Sequence, residues 1–162
     1  MRSEDMNPSV ENALIAASLL ARESTRLRVN AVRIDGSVVR IETTPPQDLS
    51  LPREVSIDEA FAAIEDAGDF SVDPGWAATP FPSEPLTPEE KWWELLRDLG
   101  QNADILADLH PGGRYESIIR SNNEAVISLV APGKHASVAV SLTDGVLPVG
   151  LGDDLAEALH NA

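Results

Sequence analysis

Between Ala13 and Ala21 every residue except Ser18 is apolar, and this run restricts the possible folds more than any other part of the chain. Asn7 and Pro8 precede it, a capping residue followed by the residue best suited to a first helical turn. The spacing predicts a helix from Pro8 to about Thr25. Val10, Ala13, Leu14, Ala17, Leu20 and Ala21 form one face, which Ile15, Ala16 and Leu19 widen beyond an ordinary stripe. So apolar a helix has to be covered, by the rest of the chain or by a partner. It falls short of the roughly 20 residues that a membrane span needs. Arg2, Glu4 and Asp5 at the start do not make the basic-then-apolar plan of a signal peptide.

A hairpin is expected next, with strands Leu27 to Ile34 and Ser37 to Thr43 around Asp35-Gly36. A two-residue turn there sets Val32 opposite Val39 and Asn30 opposite Ile41, with Arg33 and Arg40 on the other face. Pro45, Pro46 and Pro52 mark a loop. Ser56-x-x-Glu59 is a capping box, and Ile57, Ala60, Phe61, Ile64 and Ala67 follow helical spacing up to Gly68. Asp69 to Pro85 holds four prolines with Phe70, Trp76 and Phe81, a stretch that excludes regular structure yet has aromatics to place in pockets. Thr87-Pro88-Glu89-Glu90 then caps a helix whose stripe Trp92, Leu95, Leu96, Leu99, Leu106 and Leu109 ends at His110-Pro111-Gly112-Gly113.

The last third reads as strands Tyr115 to Arg120, Ala125 to Val130 and His135 to Leu142. Asn122-Asn123 joins the first pair, and Pro132-Gly133 fits the centre of a type II turn. The apolar middle strand suggests a position covered on both sides. Ser137, Ala139 and Ser141 form a small, smooth face suited to a helix or a second subunit. Val146 to Val149 suggests a further short strand, and Asp153 to His160 a final helix. The expected fold is α+β: helix and β-hairpin, proline-rich loop, long helix, antiparallel three- to four-stranded meander, short C-terminal helix. The segments divide at 1–68, 69–86 and 87–162 and are expected to form one cooperative unit. No internal repeat is visible.

The 162 residues are 43% apolar, enough for a core, and contain no cysteine, which excludes disulfide and thiolate chemistry and fits a cytoplasmic protein. Arginine outnumbers lysine ten to two, a bias of GC-rich bacterial or phage sources. His110, His135 and His160 are isolated from one another, so no metal is expected. There is no phosphate-binding glycine loop and no nucleophile motif. Carboxylates are plentiful, but nothing marks out a pair in unlike environments. Neither a catalytic residue nor a cofactor is expected.

The net charge of −15 is uneven. Residues 1–45 sum to zero, residues 46–110 carry fifteen acids against three bases, and residues 111–162 carry six against three. Such a field repels nucleic acid and anionic membranes and attracts basic partners. The expected function is therefore binding: an acidic inhibitor docking on a basic surface of a nuclease, a nucleic-acid-binding complex or a toxin, in the manner of anti-CRISPR, anti-restriction or immunity proteins. The alternatives are an acidic homodimeric secretion chaperone and an accessory structural subunit. The candidate contact residues are Asp58, Glu59, Glu65, Asp66, Asp69, Trp76, Glu89, Glu90, Trp93 and Glu94. A basic protein or nucleoprotein is the expected partner, and a homodimer is left open.

Overall fold

The computed structural model describes residues 8–23, 27–35, 38–52, 55, 57–67, 87–101, 106, 108–143 and 152–162. Along them run α1 (Pro8–Glu23), β1 (Arg28–Asp35), β2 (Val38–Thr44), β3 (Leu49–Pro52), α2 (Ile57–Ala67), α3 (Pro88–Gln101), β4 (Arg114–Ser121), β5 (Glu124–Ala131), β6 (Lys134–Ser141) and α4 (Gly152–His160). The fold is α+β, but the strands form one antiparallel six-stranded sheet, β3-β2-β1-β4-β5-β6, and not a hairpin beside a separate meander. The join is β1 with β4, through Ala31↔Ile119, Val32↔Ile118 and Arg33↔Ser117. No helix among the described residues is long and apolar enough to cross a membrane.

That join reveals a repeat. Each half runs helix, three-stranded meander, helix. Adding 86 to a residue number carries Val32 to Ile118 and Ile41 to Ile127, and the β1–β2 ladder onto the β4–β5 ladder. The bulges coincide too, between Val29 and Ala31 and between Tyr115 and Ser117. The β1–β4 pairing is symmetric under the same shift, so a pseudo-two-fold axis passes between Val32 and Ile118. The two stretches 28–44 and 114–130 share only Arg28/Arg114 and Ile41/Ile127. What they share throughout is inward polarity: Val29, Val32, Val39 and Ile41 match Tyr115, Ile118, Ala125 and Ile127, all buried. Burial fixes the register of a half-covered sheet without requiring particular side chains.

The helices contribute to one hydrophobic core on one face of the sheet. Leu14, Leu20, Ala60, Ile64, Trp92, Leu95, Leu99, Leu155 and Leu159 meet Val32, Ile41, Leu51, Ile118 and Ile127 there. α1 is the apolar helix of the sequence, and it lies against β1, α2 and α3. Its Ser18 hydroxyl donates to the Trp93 carbonyl oxygen at 3.0 Å. The β1 bulge disrupts the local ladder. There the Trp92 indole Nε1 donates to the Val29 carbonyl at 3.0 Å. In the other half the Tyr115 hydroxyl donates to the Leu99 carbonyl at 2.8 Å.

Several expectations need correction. The hairpin pairs Val32 with Ile41 and Ile34 with Val39, a register two residues away from the expected pairing of Val32 with Val39. Leu49–Pro52 is a strand inside the expected loop; Leu49 and Leu51 point into the core, and Pro52, with no N–H to donate, ends it at the sheet edge. Among the described elements helices cover β5 on one face only, and from Ala125 on its residues alternate between buried and half-buried. The helix expected to end at His110 is described as α3 to Gln101, and Leu106, Asp108 and Leu109 are also helical. The three C-terminal strands lie as expected, with Asn122 (φ 58°) and Gly133 (φ 74°) supplying the left-handed conformations their turns need. The proline-rich stretch and the short strand at 146–149 lie outside the described residues.

Candidate functional site

Charge is sorted between the two layers. The four helices carry thirteen acids against three bases, a net −10, and the six strands six bases against four acids, a net +2. α2 is the most acidic element, with Asp58, Glu59, Glu65 and Asp66 and no base. Its apolar positions Ala60 and Ile64 turn into the core, so Glu59 and Asp66 stand in solvent. The side chains of Asp58 and Glu65, and the whole of Asp69 and Trp76, lie outside the described residues.

The α3 candidates meet a different environment. Glu90 and Thr87 form the reciprocal capping box: the Thr87 N–H donates to the Glu90 carboxylate at 3.0 Å and the Glu90 N–H to the Thr87 hydroxyl at 3.1 Å. Glu89 accepts from the Arg120 guanidinium at 2.9 Å, tying the start of α3 to β4. Trp93 is half-buried and packs against the core, and its indole N–H has no hydrogen-bond partner among the described residues. Glu94 is buried, on the same side of α3 as the buried Lys91 and Asp98. Glu89 and Glu90 thus make contacts within the fold and Glu94 is buried, while Glu59 and Asp66 are exposed.

Burial pushes the Glu94 carboxyl above the ordinary glutamate value of 4.5; Arg97 draws it back, Asp98 raises it further and Arg22 lowers it. A raised folded-state value means that stability is fully present below 4.5 and declines as pH rises through the folded value, because the unfolded chain ionises first. Glu94→Gln is expected to raise the thermal midpoint at about pH 7 and to leave it unchanged at about pH 3. Melting curves of both proteins across that range check this, and equal midpoints at neutral pH would count against a strained carboxylate.

Along β2 and the turn into β3, a shallow hollow of about 590 Å³ is lined by Arg40, Ile41, Glu42, Thr43, Pro46, Gln47 and Asp48. Glu42 is held by Arg33 at 2.7 Å, and Asp48 accepts from the Ser50 hydroxyl at 3.0 Å. Both carboxylates are open to water, which gives no contrast of environment for acid–base chemistry. No group of three metal-ligating side chains occurs among the described residues. The sorting of charge between layers had only a partial signal in the sequence: α2 is visibly acidic there, but only the fold shows that Arg28, Arg40 and Arg114 have no partner among the described residues. Comparison with protein-family models, curated proteins and solved structures found no match to this chain.

Proposed function

We propose that the protein is a cytoplasmic acidic binding protein whose helix layer docks on a basic surface of a nuclease, a nucleic-acid-binding complex or a toxin, and thereby inhibits it, as anti-CRISPR, anti-restriction and immunity proteins do. The observation that carries this reading is the concentration of the negative charge on the helices, with α2 presenting Glu59 and Asp66 to solvent. A surface of one sign steers an oppositely charged partner and raises the rate of encounter. A solubilising charge would have no need to collect on one layer.

The test has two stages. Isolation of the tagged protein from its native cell at low salt is expected to recover a basic nucleic-acid-binding protein. The association rate with that partner is then expected to fall at least about tenfold between low salt and 0.5 M salt, as screening shortens. Replacing Asp58, Glu59, Glu65 and Asp66 together by their amides is expected to slow association similarly at low salt. A rate indifferent to both changes would remove electrostatic docking through α2. A second reading, an acidic secretion chaperone, draws support from the helix–meander–helix order found in both halves. Recovery of a single secreted effector would favour it.

A further inference from the structure

The face of the sheet turned away from the helices has no described element covering it. Across it run two rows of directly paired residues, Ser50, Arg40, Arg33, Ser117, Ser128, Ser137 and Glu42, Ala31, Ile119, Val126, Ala139. Ile119, Val126 and Val130 on it are half-buried and lie outside the core, and Ala139 is exposed. Arg28, Arg40 and Arg114, also on this face, are exposed and have no partner among the described residues.

We infer that this open sheet face is a self-association surface, on which a second copy of the chain stacks sheet to sheet about a two-fold axis near Ile119 and Val126. Three observations choose the occupant. Two chains of charge −15 repel wherever their helix layers meet, and the outer sheet face, where Arg28, Arg33, Arg40 and Arg114 balance Asp35, Glu42, Glu116 and Glu124, offers an approach with no net charge of its own. The face carries both signs, with Asp35 and Glu124 exposed on it as well as Arg28, Arg40 and Arg114, so a two-fold mate can offset charges with their opposites. Its extent also suits a dimer: six strands spaced about 4.8 Å apart and up to eight residues long cover roughly 700 Å², near the ~800 Å² per partner of a stable interface. The Ser and Ala side chains let the two sheets approach closely over the Ile119–Val126 patch. In such a dimer both acidic helix layers point outward, so it goes beyond the proposed function and stands or falls separately.

Sedimentation equilibrium of the full chain reads the outcome without any partner. The expected mass at about 100 µM is twice the 17.4 kDa of one chain. Val126→Arg and Ala139→Arg are each expected to raise the dissociation constant at least about 100-fold. Ala139 is exposed, so its variant keeps the fold, which circular dichroism verifies. Asp66→Lys on the helix layer is expected to leave the dimer intact. A monomeric parent at this concentration overturns the inference. So does a dimer that survives both arginine variants, or one that Asp66→Lys dissolves.

Discussion

Leu14→Asp is expected to abolish folding. Leu14 is fully buried in α1, in contact with the core that both halves share. Removing the leucine side chain costs about 2–5 kcal/mol by analogy with buried Leu→Ala changes. An unpaired carboxylate in the same place adds a desolvation penalty of several kcal/mol, or else takes up a proton. Domains of this size are stable by about 5–15 kcal/mol in all, so one substitution accounts for most of that margin. The damage is expected to reach the other half, because α1 lies against α3 and β1 is bonded to β4. Urea unfolding followed by circular dichroism, with hydrogen exchange at β5, measures both effects. Retained protection at β5 after loss of α1 would show two independent units in place of one cooperative fold.

Trp92→Ala is the second large effect. The ring is fully buried, and its N–H is hydrogen-bonded to the Val29 carbonyl at the β1 bulge. Loss of the ring is expected to cost about 3–5 kcal/mol, and the orphaned carbonyl about 1–3 kcal/mol more. Trp92→Phe keeps much of the ring volume and removes the donor, so it isolates the smaller part. Trp93→Ala is expected to cost about half as much as Trp92→Ala or less, since Trp93 is half-buried and its N–H has no partner to lose among the described residues. Denaturant midpoints for the three variants settle the order. If Trp93→Ala destabilises as much as Trp92→Ala, Trp93 is a core residue and drops out as a contact candidate.

Most local structure was legible in the residues, because local structure answers to local causes. The capping box at Thr87 and Glu90, the turns at Asn122 and Gly133, and the alternation along β6 are each decided by a few adjacent side chains. The strand Leu49–Pro52 was missed because three prolines nearby read as a loop, and only the ladder with β2 makes four residues a strand. The hairpin register was missed by two residues because Val39 and Ile41 are both apolar and inward. Pattern alone does not distinguish registers that differ by two residues and keep the same faces.

By itself, the sequence determined the α+β class, the need to cover α1, the apolar stripe that holds Trp92 and the acidity of the middle of the chain. Each follows from hydrophobic period, capping chemistry or composition. The tertiary structure decided how the strands combine: pairing β1 with β4 merges two meanders into one sheet and creates the pseudo-two-fold axis. A core demands apolar surface at the right positions and not particular residues, so Val29 can correspond to Tyr115 and Val39 to Ala125, and the repeat leaves almost no identity to read. The same arrangement decided which charges face outward. Glu89 and Glu94 look alike along the chain, but one pairs with Arg120 and the other is buried. Whether a carboxylate is free depends on neighbours distant in sequence, which only the folded chain supplies.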